Sequence, residues 1–369
     1  LPPPDATREA RAIDAAIERF AAFGYERVKP PLVEFEESLL GGPGAALGSQ
    51  TFRLMDPVSQ RMMGVRPDMT VQVARIAVTR LKHEPRPLRL SYGGNVIRVR
   101  GSALKPERQF AQVGTELIGV DSAAADAEAV LLAVDALRAI GVSDLTVDLN
   151  LPTLVAAVAA GLKLPADILR RLRRALDRKD EAGVAKSFGE KKGAELFIGL
   201  LRAAGPARPG IAGLAGLKLP AAAAAEAARL AEVVKLVQAA DPDLPLTVDP
   251  VEYRGLEYQT GVSFSVFALK GRQELARGGR YSAGYPEDGV SEPATGFTVY
   301  MDAVLAASEA APERPRLFAP AGTPWRDAAA WQAKGYAVIR AVAAASDTRT
   351  EAKRLRCSHA LIDGDAVPL

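Results

Sequence analysis

The chain has 369 residues, 48% of them hydrophobic and 25% charged, and a net charge of +3. These are ordinary proportions for a globular protein, with no global field drawing it to nucleic acid or membrane. The single cysteine, Cys357, excludes an internal disulfide, and His83 is remote in sequence from Cys357 and His359, so neither metal-ligand spacing nor a histidine-based catalytic arrangement emerges.

The length allows two domains. No apolar stretch is long enough to span a bilayer, and "LPPPDATREARAID" lacks the features of a signal peptide. The expectation is a cytoplasmic protein with no membrane contact, metal or cofactor.

Residues 5–23 predict a helix that Asp5 or Thr7 caps, with Ile13, Ala16, Ile17 and Phe20 on one face and Gly24 at its end. An extended segment runs through Pro30 and Pro31, and "GGPGAALGSQ" is loop by composition. "TFRLMDPVSQRMMGV" predicts a hairpin leading to a helix that starts near Asp68 or Thr70. "PLRLSYGGNVIRVR" alternates, with Leu88, Leu90, Tyr92, Val96, Arg98 and Arg100 on one face. Gly93, Gly94 and Asn95 would also suit a turn, which leaves one long strand or two short ones. "GSALKPER" is a loop, and the strand "QFAQVGTELIG" puts Phe110, Gln112, Gly114 and Glu116 on one face.

Residues 122–140 predict an amphipathic helix, and "LTVDLN" a short strand. From 151 to 240 the composition turns to Ala, Leu, Arg and Lys, a helical insertion. Within it Arg170, Arg171, Arg173, Arg174, Arg178 and Lys179 form the cationic face of a helix whose apolar side is Ile168, Leu172, Ala175 and Leu176. A solvated face is the commoner use of such a run, and no aromatic residues interleave to stack bases. "LPLTVDP", "VSFSVFALK" and "GFTVYM" predict an antiparallel sheet, and the two glycines of "ELARGGRYSAG" predict a tight turn between strands. Beyond about residue 313 the order strand, helix, strand, helix, strand describes a small α/β unit.

The polar residues on strands carry the functional signal. Gln112 and Glu116 lie about 13 Å apart on one strand face. With Asp68, Thr70, Arg98 and Arg254 they supply carboxylates, an amide, a hydroxyl and guanidinium groups suited to an amino acid's ammonium and carboxylate. Unrelated polar residues on a solvated sheet face would look the same and are commoner.

Taken together, these stretches resemble the catalytic core of histidyl-tRNA synthetases. "GYERVKPPLVEFEESLL" resembles the first class II motif, with Pro31 at its proline, and "RPDMTVQVAR" a substrate-binding segment. "LRLSYGGNVIRVRGSALKPERQFAQVGTELIG" is similar to the second motif, "YRGLEYQTGVSF" to a histidine-specific motif and "ARGGRYSAG…EPATGFTVYMDAV" to the third. The resemblance covers about residues 10 to 307. It implies an α+β fold, a class II aminoacyl-tRNA synthetase-like antiparallel sheet flanked by helices. The core would be residues 1–312, with 151–240 inserted, and 313–369 a C-terminal α/β unit reduced relative to an anticodon-binding domain.

The resemblance also implies a pocket for histidine. Asp68 and Thr70 would hold the ammonium group, Gln112 and Glu116 the amino and imidazole groups, and Arg254 and Arg98 the carboxylate side. Tyr258, Gln259 and Tyr281 would wall it, Gln259 standing where the family has a second tyrosine. On the nucleotide side Arg100 replaces the glutamate of the second motif, and Ala303 replaces the arginine of the third, which removes a cation from the polyphosphate site. Those departures resemble the synthetase-like regulatory subunits of short-form ATP phosphoribosyltransferase, the first enzyme of histidine biosynthesis. The implied protein has no catalytic residues of its own. It activates a short catalytic subunit, helps mediate feedback inhibition by histidine as effector, and forms homodimers within a hetero-oligomer, typically a hetero-octamer, with no role for tRNA. A divergent active synthetase and a stand-alone amino-acid-binding protein are the alternatives.

Overall fold

The computed structural model describes residues 1–101, 107–189, 193–253, 258–269, 273–285, 289–308 and 314–369. The expected loop within 102–106 and the site residue Arg254 lie outside the described residues. Contacts divide the chain into two compact units, Leu1–Glu309 and Ala310–Leu369.

The first unit begins with α1 (Asp5–Ala22) and β1 (Glu26–Arg27), then β2 (Val33–Phe35), α2 (Glu36–Leu39), β3 (Phe52–Met55), β4 (Met62–Val65) and α3 (Thr70–Thr79). Two ten-residue strands, β5 (Leu88–Ile97) and β6 (Gln109–Ile118), lead to α4 (Ala123–Ala139) and β7 (Leu145–Asn150). The helices α5 (Leu154–Gly161), α6 (Ala166–Asp177), α7 (Glu181–Phe188) and α8 (Ala194–Arg202) follow. Then come β8 (Gly205–Pro206), α9 (Ala207–Ala215), α10 (Ala221–Ala240) and β9 (Leu246–Asp249). The unit ends with β10 (Gln259–Ala268), β11 (Glu274–Tyr285), β12 (Val290–Tyr300) and α11 (Met301–Ala307).

Among the described residues the central sheet has nine strands in the order β1-β5-β6-β12-β11-β10-β7-β9-β8. Its middle is antiparallel, but β1 runs parallel to β5 and β7 parallel to β9, so the expected antiparallel sheet is mixed at both margins. The run Gly93, Gly94, Asn95 makes no turn: β5 pairs with β6 without interruption from Leu88 to Ile97.

Strand β6 is buried along both faces, and the two-residue alternation sorts its side chains. Val113 and Leu117 join Phe297 and Val299 in the core built with α1 and α4, where Phe20 meets Phe297 edge-on at 5.6 Å. Phe110 and Ile118 belong to the opposite face, under α3, with Leu90, Tyr92, Met69, Val73 and Tyr281. Gln112, Gly114 and Glu116 lie between them on that same face. The α3 side of the sheet therefore carries the polar residues.

Helix α4 packs against both α1 and α10 and is buried on most sides, so it is less amphipathic than its sequence implies; Ser122 caps it, accepting from the Ala125 amide at 3.2 Å. Helix α1 differs from expectation at its start: Pro4 is the capping position, and neither Asp5 nor Thr7 supplies a side-chain cap. The helices between β7 and β9 share one apolar core with the sheet through Leu172, Phe197, Leu200, Leu230 and Val237.

The second unit contains β13 (Arg316–Ala319), α12 (Trp325–Ala333), β14 (Ala337–Arg340), α13 (Thr348–Arg354), β15 (His359–Ile362) and β16 (Asp365–Pro368). Its sheet has the order β14-β13-β15-β16 around Phe318, Ala352, Cys357 and Ala360.

The expected turn at Gly278 and Gly279 is overturned. Both lie inside β11, paired with Phe297 and Gly296 of β12. The reason for Gly278 is crowding: a Cβ there would stand 2.5 Å from the Gly296 carbonyl oxygen and 2.6 Å from the Phe264 ring. Gly278→Ala is expected to lower stability by about 1–3 kcal/mol, the usual cost of overpacking. Thermal unfolding beside the parent checks this, and an unchanged midpoint would contradict it.

Candidate functional site

A cavity of about 290 Å³ opens between α3, the sheet and the segment before it. Asp68, Thr70, Arg98, Tyr258 and Tyr281 line it, together with Gln50, Arg75, Arg277 and Tyr300. Five of the expected site residues are thus brought together.

At the helix entrance, Asp68 accepts the Thr70 amide at 2.8 Å through one oxygen and the Gln112 side-chain amide at 3.1 Å through the other. This local turn is why Asp68 and Thr70 sit at the start of α3. It also leaves Gln112 with a side-chain oxygen that is buried and has no partner among the described residues. Gln259 is in the same condition: its amide donates to the Gly278 carbonyl at 3.2 Å, and its side-chain oxygen has no partner. Buried acceptors of this kind are uncommon and call for a donor.

Glu116 is 1% exposed. Its carboxyl accepts the Tyr281 hydroxyl at 2.9 Å and the Tyr92 hydroxyl at 3.3 Å. Tyr92 in turn contacts Thr70 at 3.2 Å and Thr298 at 2.8 Å, joining α3, β5, β6 and β12 in one network. Burial pushes the Glu116 carboxyl up to about 8; the Tyr281 hydroxyl pulls it down and the neighbouring Asp68 carboxylate pushes it further up. Burial first and Glu116 second hold the phenols of Tyr92 and Tyr281 well above their ordinary range, so both remain donors.

The cationic side is separate. Arg98 lies 4.9 Å above the Phe110 ring and donates to the Pro67 carbonyl at 3.2 Å. Arg277 is held by Glu274 at 2.6 Å, and Arg75 pairs with Glu34. Tyr258, 47% exposed, meets Tyr281 edge-on at 6.5 Å. Acceptors at one side and a guanidinium at the other match a zwitterion.

The departures lie elsewhere. Arg100 is exposed beyond the end of β5, and Ala303 is buried in the main core on α11, with no cation at its position. Tyr92, Arg277 and Tyr300 escaped the sequence reading of the site. Tyr92 falls on the correct face by alternation, but its reach to Glu116 follows from the β5–β6 register, in which it lies opposite Gly114. Among the described residues, no group of three or more His, Cys, Asp or Glu side chains is placed to hold a metal ion, and no helix is long and apolar enough to cross a membrane.

The family model for histidyl-tRNA synthetase matches residues 1–304. An ATP phosphoribosyltransferase regulatory subunit of Rhodospirillum centenum is 52% identical over 97% of this chain and 92% of its own length. One from Paramagnetospirillum magneticum is 54% identical over 97% and 93%. A Bacillus halodurans crystal structure, described as an ATP phosphoribosyltransferase regulatory subunit/histidyl-tRNA synthetase, superposes with a TM-score of 0.80. It is 24% identical over 96% of this chain and 93% of that one, a likeness of fold.

The raised Glu116 carboxyl has a consequence for pH. Between its ordinary value of 4.5 and about 8 the folded protein keeps a proton that the unfolded chain releases. Stability from this group is full below the ordinary value and is lost as pH rises through about 8, at roughly 1.4 kcal/mol per pH unit. Unfolding midpoints measured across this window are expected to fall with pH more steeply in the parent than in Glu116→Gln; parallel profiles would contradict the assignment.

Proposed function

Because the chain belongs to the family of ATP phosphoribosyltransferase regulatory subunits, a histidyl-tRNA synthetase-like family, we propose that its cavity holds histidine and reports that occupancy to a catalytic subunit. The chain is a regulatory subunit of histidine biosynthesis, and the finer reading concerns how it regulates. The observation that carries it is the unpartnered Gln112 oxygen, an acceptor that calls for a donor, beside the Asp68 carboxylate that lines the cavity. Asp68, Thr70 and Gln112 bind the amino group, Arg98 and Arg254 face the carboxylate, and Glu116, with Gln259, meets the imidazole. A neutral Glu116 donates to an imidazole nitrogen and a charged one accepts from it. Tyr258 and Tyr281 wall the pocket.

The chain has no chemistry of its own in this reading. Ala303 offers no cation where phosphate transfer or adenylation relies on fixed positive charge. Residues 1–312 act as the synthetase-like core, with 151–240 inserted, and 313–369 as a unit reduced relative to an anticodon-binding domain. Homodimers join short catalytic subunits in the cytoplasm as a hetero-octamer. Histidine inhibits by binding the inhibited assembly more tightly than the active one, since only a difference in affinity can shift the equilibrium.

Reconstitution with a short catalytic subunit tests this. Phosphoribosyl transfer is expected to need both chains, and Glu116→Ala to raise the histidine concentration for half-inhibition by about tenfold or more, with the sedimentation of the complex unchanged. A variant that answers histidine like its parent would sink the pocket assignment. Histidine-dependent exchange of pyrophosphate into ATP by the purified chain would sink the non-catalytic reading.

A further inference from the structure

Helix α6 buries Ile168, Leu172, Ala175 and Leu176 and turns its arginines outward. Some exposed arginines of this unit are held by acids: Arg202 by Glu181, Arg138 by Asp241, and Arg171 of the same helix by Asp167. Arg170, Arg173 and Arg174 differ. Among the described residues none of the three side chains has an ion pair or hydrogen bond, and the Arg173 guanidinium rests 5.4 Å above the Tyr253 ring. Spaced by three and four residues, Arg170 faces the same side as Arg173 and Arg174, a like-charge arrangement that weakens a helix unless something neutralises it.

These guanidinium groups are not spread over a convex surface. They line a concavity of about 300 Å³, completed by Ala166, Leu169 and Tyr253. The Tyr253 hydroxyl donates to Asp177 at 3.3 Å, which holds the ring in place. Guanidinium forks suit phosphoryl oxygens, which they take two at a time. Leu169 and the tyrosine ring give an adjoining organic group something to pack on.

We propose that this concavity is a second ligand site, for a small phosphorylated anion whose phosphoryl oxygens are shared by Arg170, Arg173 and Arg174 and whose organic part lies against Tyr253. Its volume falls at the lower end of the range of small-molecule sites, which suits a small anion. A single-stranded nucleic acid needs a charged track with successive aromatic platforms, and this concavity offers one ring, Tyr253. The site is independent of the histidine reading of the main cavity, and it gives the assembly a means of sensing phosphorylated metabolites alongside an amino acid.

The test is a calorimetric titration of the full chain with pyrophosphate at near-physiological salt, beside Arg170→Ala, Arg174→Ala and their double variant. Both positions are exposed, so these variants are expected to fold as the parent does. Saturable binding, weakened about tenfold or more by either single substitution and abolished in the double variant, is the expected result. Binding equal in parent and double variant, or none up to about 10 mM, would overturn the proposal. So would a single-stranded RNA oligonucleotide that binds through these arginines and outcompetes pyrophosphate, which would make α6 a nucleic-acid surface.

Discussion

A carboxyl group that no cation pairs with among the described residues, enclosed at the centre of the main sheet, is the constraint from which the site follows. Glu116 lies opposite Gly296 on β12, and a Cβ at position 296 would stand 2.0 Å from its carboxyl oxygen. One strand further in each direction, Tyr281 and Tyr92 point hydroxyls at the same group. Tyr92 reaches it only because Gly114 leaves room: a Cβ there would be 2.5 Å from the phenol oxygen. Glycines on the strands and phenols around the acid are therefore one arrangement. Removing any part would leave a buried polar group without its partner, a cost larger than a typical hydrogen bond contributes.

The same enclosure separates holding an amino acid from activating one. Acceptors cluster at Asp68 and Gln112, the titratable group sits deeper at Glu116, and among the described lining residues positive charge is confined to Arg98 and to arginines already engaged by Glu274 and Glu34. A small zwitterion fits that division. A polyphosphate needs several uncommitted cations, and position 303 contributes none. In the proposed reading, filling that cavity changes the chain's affinity for its catalytic partner, which is what linkage requires of a regulator.

Much of this was legible in the sequence because alternation on strands is a strong signal. Phe110, Gln112, Gly114 and Glu116 share a face as their spacing implies, and Asp68 with Thr70 begins a helix as the turn chemistry implies. What escaped was set by tertiary contact. Gly278 and Gly279 suggest a turn, but the packing of Phe264 and the Gly296 carbonyl makes them strand residues. Tyr92 reads as a core aromatic until the β5–β6 register puts it beside Glu116. The burial of α4 on most sides depends on α10, a helix more than eighty residues later in the chain, and the parallel pairing of β1 with β5 has no local signature.

The regulatory role proposed for the cavity requires that it hold an amino acid by its ammonium group. Calorimetry of histidine with the full chain, parent beside Asp68→Ala, measures this directly. One histidine per chain, bound about tenfold or more weakly when Asp68 is removed, is the predicted result. Binding of undiminished strength in the variant, or no binding by the parent, would contradict it.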